Sequence, residues 1–274
     1  NVPGLYAIGE ADYQYHGANR LGANSLLSCI FAGLIVGPGI ARLLGGLKGG
    51  SAADQPASLF EEEVRRHRQR YESLLAAKGT ENPYLLHKEL GQVMTKNVTV
   101  VRHNKDLNET LAKIDELSER YRDIALSDSS NWTNQTLSFA RAVEDMLVLA
   151  RVITEGALRR DECRGAHYKP EFDLPALTAQ DPAALREEAK RWCQAFAARN
   201  ERWLKTTIAE YTPDGPRFSY EEVDTSLIPP RPRTYELKGA EVIVEVWKQM
   251  QREGAVAPTA DRRERALGKP VGAT

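Results

Sequence analysis

A chain of 274 residues with 42% hydrophobic and 27% charged content can hold one large domain or two ordinary ones, and has the make-up of a folded globular protein. A formal net charge of −1 gives no general attraction to nucleic acid or anionic lipid, so no nucleic-acid partner is expected. Three cysteines, Cys29, Cys163 and Cys193, have neither paired nor metal-ligand spacing, which argues for a reducing compartment and against a cysteine-ligated metal site.

The first 50 residues form one piece. A short apolar run, Leu5-Tyr6-Ala7-Ile8, lies between Pro3-Gly4 and Gly9 and reads as a buried strand. A glycine-punctuated polar loop follows, carrying Glu10, His16, Asn19, Arg20 and Asn24, and a long apolar helix is expected to begin near Ser25. A turn between two apolar elements needs one or two polar residues; this density points to a binding loop at a helix N-terminus, a place suited to anionic or electron-rich groups. The segment from Leu26 to Leu44 is interrupted by Gly37-Pro38-Gly39 and Arg42, leaving too short an apolar run for the roughly 20 residues of a membrane span; a buried helix is expected instead. Gly45-Gly46 and Gly49-Gly50-Ser51-Ala52-Ala53 read as a flexible connector.

Residues 51–168 change to amphipathic helices. Ser58-Leu59-Phe60-Glu61 has capping-box spacing, and Leu59, Phe60, Val64, Tyr71, Leu74 and Leu75 would line one face before Gly79 stops the helix. Asn82-Pro83 marks a second start, and a third helix from about Asn104 repeats Leu107, Leu111, Ile114, Leu117 and Tyr121 at steps of three and four. A fourth, from about Gln135 to Arg160, is apolar on more than one face and is expected to be the central, most buried helix of a bundle. Heptads are not sustained, which favours packing of these helices on one another over a coiled-coil partner.

Residues 169–254 form a C-terminal extension: a loop through Pro170 and Pro175, a helix from Pro182 to about Asn200, and short strands near Trp203–Ile208 and Phe218–Val223. The proline-rich stretch ending at Tyr235 cannot be helical, and a last short helix is expected over 240–253. Residues 255–274 read as a disordered tail. The fold class is α+β and mostly helical: a strand-loop-helix piece, a helical bundle and a small strand-containing region.

Three blocks carry a family resemblance. Pro-Gly-Leu-Tyr-Ala-Ile-Gly-Glu (3–10) with His-Gly-Ala-Asn-Arg-Leu-Gly-Ala-Asn-Ser-Leu-Leu (16–27) resembles the C-terminal flavin-binding stretch of the succinate dehydrogenase/fumarate reductase flavoprotein family. Glu162-Cys163-Arg164-Gly165-Ala166-His167-Tyr168 is similar to the Glu-Ser-Arg-Gly-Ala-His block that ends the family's helical domain, with cysteine where serine is usual. Trp203–Thr207 and Ile228–Tyr235 supply the third. The resemblance makes residues 1–50 the C-terminal piece of an FAD-binding domain.

It implies FAD as cofactor, a succinate or fumarate dicarboxylate as substrate, an iron–sulfur subunit and a membrane-anchor subunit as partners, and a peripheral location on the cytoplasmic face of the inner membrane. It implies that Arg20 clamps one substrate carboxylate, since guanidinium offers a rigid two-point fork. Glu10, Asn24, Ser25 and Leu26 are the implied cofactor-binding residues: Glu10 toward the ribityl region, Asn24 pinning the loop, Ser25 and Leu26 through helix-initial N–H groups. Glu162, Arg164 and His167 read as a structural clasp rather than as catalytic groups. The family's glycine fingerprint, flavin-attachment histidine and catalytic arginine lie upstream of the Gly-Glu motif and are absent here, so the expectation is a C-terminal fragment, inactive alone, with no catalytic base of its own. The wording of 19–27 and the Pro-Pro-Arg-Pro-Arg-Thr-Tyr extension lean toward succinate dehydrogenase. Fumarate reductase shares the machinery. L-aspartate oxidase shares an Arg-Gly-Ala-His type block but usually differs where this chain has Leu21-Gly22, and a non-catalytic subunit-docking module is the rival of another class.

Overall fold

A computed structural model describes residues 4–12, 14–47, 54–226, 229–234 and 237–256. Most of the expected connector, part of the proline-rich stretch with Tyr235, and the tail from 257 onward lie outside the described residues. By contacts the chain divides into two compact units, Asn1–Arg151 with Arg164–Tyr168, and Val152–Cys163 with Lys169–Thr274.

In the first unit, Leu5–Ile8 forms no strand. A strand needs a neighbouring strand to take its N–H and C=O groups, and among the described residues no strand or bridge pairs with this run. It leads through the 3-10 turns Gly9–Asp12 and Gln14–His16 into α1 (Asn24–Gly46). The helix runs on through Pro38 without a break, and against the expectation of a buried helix none of its residues is buried, because among the described residues no element covers it. Pro38 removes one N–H donor from the helix, yet 23 residues stay helical.

α2 (Ala57–Ala76) starts one residue early for the expected capping box: Ser58 lies inside the first turn, Pro56 precedes the helix and no side chain caps it. Only Leu74 of its apolar stripe is buried, while Leu59, Phe60 and Val64 are more than half exposed. α3 (Pro83–Asn97) begins as read, with the Asn82 carboxamide accepting from the Tyr84 N–H at 2.9 Å. α4 (Asn104–Tyr121) buries Leu107, Ile114 and Leu117 at 0% exposure. α5 (Gln135–Arg159), of which the part up to Arg151 belongs to this unit, buries one stripe, with Ala140, Val143, Leu147 and Ala150 in the same cluster as Leu86, Leu90, Ile114 and Leu117. It is not the all-round buried centre of the bundle, because Val148 and Leu149 face outward. Its buried stripe is rich in alanine, which lets neighbours approach closely and needs one face only.

In the second unit, α6 (Pro182–Trp203) is capped by the Asp181 carboxylate accepting from Ala184 N–H at 2.9 Å. Strands β1 (Lys205–Glu210) and β2 (Arg217–Glu222) pair antiparallel, Lys205 opposite Glu222. α7 (Ala240–Arg252) packs Ile243, Val246 and Trp247 against Ala189, Trp192, Cys193 and Phe196 of α6. The mostly helical α+β class follows from these elements.

Candidate functional site

The polar loop between Gly9 and α1 folds back on the first two turns of its own helix. Gly9 is buried with φ +70°, and a side chain there would sit 3.1 Å from the Cys29 Sγ. Farther along, His16 Nε2 lies 3.3 Å from Ser28 Oγ. The Ser28 hydroxyl donates its one proton to the Ser25 carbonyl at 2.9 Å, so its oxygen accepts from the ring and His16 carries its proton on Nε2. Two contacts therefore tie the loop to α1 at Ser28 and Cys29, one turn beyond Ser25.

Glu10 sits in the Gly9–Asp12 turn and is exposed. Arg20 is exposed, and among the described residues its guanidinium donates to the adjacent Leu21 carbonyl at 3.4 Å. Asn24 is the first residue of α1, exposed, with its backbone N–H directed to the Leu21 carbonyl at 3.4 Å. Ser25 is half-buried, and Leu26 is exposed. The residue before the helix, Ala23, takes the left-handed conformation (φ +63°) and no side chain caps the helix. Asn24 N–H is taken by Leu21, while among the described residues no side chain takes the N–H groups of Ser25 and Leu26, which offer the positive end of the helix dipole to an external acceptor. An electron-rich ring edge fits such a terminus by its donor chemistry.

The downstream block meets this loop. Arg164–His167 is a tight turn closed by Arg164 N–H to His167 C=O at 2.8 Å and His167 N–H to Arg164 C=O at 3.0 Å. Its Ala166 N–H donates to the Ala18 carbonyl at 3.0 Å. The turn in turn is held by Arg102: its N–H donates to Tyr168 C=O at 3.0 Å, its Nε to Val98 C=O at 2.7 Å, and its Nη1 to His167 Nδ1 at 2.6 Å. Burial pushes the Arg102 guanidinium below its ordinary pKa, without approaching neutrality at any physiological pH. Nothing in the sequence pattern singled out Arg102; the one available signal was a basic residue just past a helix end, where it caps the last carbonyls.

The rest of the block belongs to the second unit. Glu162 is fully buried and accepts from Arg160 Nη2 at 2.5 Å, while Arg160 also donates to Lys205 C=O and Thr207 Oγ1, each at 2.9 Å. The Cys163 Sγ donates to Lys169 C=O at 3.1 Å, and the fully buried Lys169 ammonium reaches Asp161 at 3.0 Å and Leu158 C=O at 2.9 Å. Desolvation raises the Cys163 thiol pKa, which disfavours the thiolate form.

A family model described as fumarate reductase flavoprotein C-term matches residues 87–235, and one described as FAD binding domain matches residues 1–26. The succinate dehydrogenase flavoprotein subunit of Bacillus subtilis (strain 168) is 45% identical over 240 residues, covering 87% of this chain and 37% of the relative. The fumarate reductase flavoprotein subunit of Serratia sp. (strain ATCC 39006) is 29% identical over 85% of this chain and 35% of its own length. A solved structure of the E. coli quinol fumarate reductase FrdA chain superposes with TM-score 0.66 at 27% identity, covering 85% of this chain and 36% of that one. The chain spans little more than a third of the length of the relatives it matches.

Proposed function

The chain belongs to the succinate dehydrogenase/fumarate reductase flavoprotein family, and from that membership we propose that it works as part of a succinate dehydrogenase flavoprotein subunit that oxidises succinate to fumarate. The observation that carries this reading is the single loop that presents Arg20 and leads directly into the uncapped start of α1, braced at Ser28 and Cys29. When bound, FAD supplies the two-electron acceptor for oxidation of the dicarboxylate.

The chain's own residues have separate tasks. Arg20 offers the paired N–H groups of its guanidinium to one substrate carboxylate, a match in shape and charge that lysine lacks. Ser25 and Leu26 direct backbone N–H groups at the electron-rich edge of the cofactor, where fixed dipoles favour added negative charge. Glu10 accepts hydrogen bonds from cofactor hydroxyls, and Asn24 fixes the join between loop and helix. None of these residues is assigned the role of catalytic base. Electrons leave through an iron–sulfur subunit toward quinone, and a membrane-anchor subunit keeps the assembly peripheral on the cytoplasmic face of the inner membrane.

The decisive experiment is Arg20→Ala in the full-length flavoprotein. Flavin absorbance is expected to persist while succinate-dependent dye reduction falls by about a hundredfold or more, as for loss of a charged two-point contact to substrate. Dye reduction equal to that of the unsubstituted protein would overturn the assignment. Reduction of fumarate by the same protein, measured alongside, separates the succinate dehydrogenase reading from fumarate reductase. Absence of any flavin in the full-length protein would point to the docking-module reading instead.

A further inference from the structure

We propose that the Arg164–His167 turn, locked by Arg102, is a positioning device for the substrate loop, with Gly165, His167 and Arg102 as positioning residues for Arg20. The inference rests on the reading of Arg20 as the carboxylate clamp.

The argument begins at Gly165. Its φ of +57° is one that side-chain-bearing residues rarely adopt. Independently, a Cβ at this position would lie 2.8 Å from both the carbonyl carbon and the oxygen of Ala18, and 2.9 Å from the Asn19 Cβ. Two separate constraints thus require glycine here, and the second exists only because the backbone of Ala18–Asn19 is pressed against the turn. The Ala166 N–H then hydrogen-bonds the Ala18 carbonyl at 3.0 Å. Arg20 follows two residues later, too close along the chain for its backbone to move independently of Ala18.

The turn is itself braced at its far side. Arg102 joins three groups: the end of α3 through the Val98 carbonyl, the backbone of Tyr168, and the ring of His167. A guanidinium can only donate, so His167 Nδ1 must accept, which requires a neutral ring protonated at Nε2. The bracing runs from the end of α3 through Arg102, His167 and Ala166 to Ala18, and ends on the residues beside Arg20. At the other end of the loop, Ala23 holds a left-handed backbone (φ +63°), a state that side-chain-bearing residues rarely adopt and that persists where surroundings over-determine it. A clamp on a planar carboxylate loses much of its advantage when its geometry slips by a fraction of an ångström.

The test uses the intact flavoprotein with its cofactor, and malonate as a dicarboxylate that cannot be oxidised. Malonate affinity is read from the perturbation of the flavin absorbance, and KM is separated from kcat with succinate. Gly165→Ala is expected to weaken malonate binding and raise the succinate KM by about tenfold, with kcat changed by less than about twofold. Because Gly165→Ala carries a folding risk, His167→Ala removes the Arg102 brace without adding bulk and should weaken malonate by about fivefold. His167→Gln restores a side-chain acceptor for Arg102 and should recover affinity to within about twofold of the unsubstituted protein. Amide exchange over 16–22 should accelerate in Gly165→Ala and His167→Ala and revert in His167→Gln.

Unchanged malonate affinity in Gly165→Ala and His167→Ala, alongside a loss in Arg20→Ala, would overturn the positioning role and leave the clamp standing. Unchanged malonate affinity in Arg20→Ala would overturn the clamp, and the positioning role with it. Failure of His167→Gln to recover what His167→Ala loses would remove His167 and Arg102 from the device.

Discussion

Gly79 lies against the backbone of Asp123, where an added Cβ would also come within 2.8 Å of the Asp123 carboxylate. By sequence it is the residue that stops the preceding helix. The helix α2 in fact ends at Ala76, with an extended Ala77 after it, and Gly79 is not left-handed. It is needed for closeness: its N–H donates to Ile124 C=O at 3.1 Å, and a Cβ there would sit 1.8 Å from the Asp123 carbonyl oxygen. Backbone cannot yield as the tip of a lysine can. Gly79→Ala is therefore expected to cost about 3 kcal/mol through overpacking, read as a lower urea midpoint with the slope unchanged. A midpoint equal to that of the unsubstituted chain would mean that the Lys78–Glu81 segment simply moves aside. Gly165 teaches the same lesson at the site: a sequence shows that a glycine is present, and only coordinates show which neighbour forbids anything larger.

At the scale of elements, starts with a local chemical signature were legible and starts without one were not. Asn82-Pro83 and Asp181-Pro182 each pair a capping side chain with a residue whose missing N–H costs nothing at a first turn, and both helices begin there. Ser58-x-x-Glu61 looked equally good, but the helix begins at Ala57. A box works only if its serine lies outside the helix, and periodicity does not fix a start to one residue. Long-range charge pairs left no pattern to read. Arg120 on α4 donates to Glu81 at 2.8 and 3.0 Å and to Glu89 at 2.8 and 2.9 Å, while Lys113 reaches Glu89 at 2.8 Å, bridging α3 and α4. The Arg120 hydrogen bond, then that of Lys113, holds the Glu89 carboxyl at about 2 against an ordinary 4.5. A depressed carboxyl contributes stability that is fully present above its unfolded value and is lost as pH falls through its folded value. The window thus runs from about pH 4.5 down to about pH 2. These side chains remain about a third exposed, so the effect is discounted to roughly 1 kcal/mol. Urea titrations stepped down through that window should show Glu89→Gln losing less stability than the unsubstituted chain, with the difference shrinking as salt is added. Parallel losses in both proteins would remove Glu89 from the acid response.

For the whole molecule, hydrophobicity revealed where apolar residues are needed but not what covers them. The stripes of α4 and of one face of α5 find each other and form the core with Leu86 and Leu90, as an amphipathic reading predicts. α1 obeys the same composition rule with the opposite outcome. It is long and apolar enough to cross a membrane by length and composition, with mean hydropathy 1.9, yet none of it is buried. Leu26, Leu27, Ile30, Phe31 and Leu34 are each 61% to 75% exposed, which makes a contiguous patch of a kind that soluble monomers seldom leave open. The loop carrying Arg20 leads into this helix, so the site and the uncovered face are parts of one element. In the 274-residue chain by itself the patch is expected to drive self-association. Leu26→Gln, Ile30→Gln and Leu34→Gln lie at steps of four along one side of α1, and glutamine keeps helix propensity close to that of leucine. The triple variant should bind far less hydrophobic dye and sediment as a smaller species, while circular dichroism keeps its helical signal. If dye binding and sedimentation stay as they were, the association arises elsewhere, and the exposed stripes of α2 and α5, at Leu59, Phe60, Val148 and Leu149, become the surfaces to substitute next.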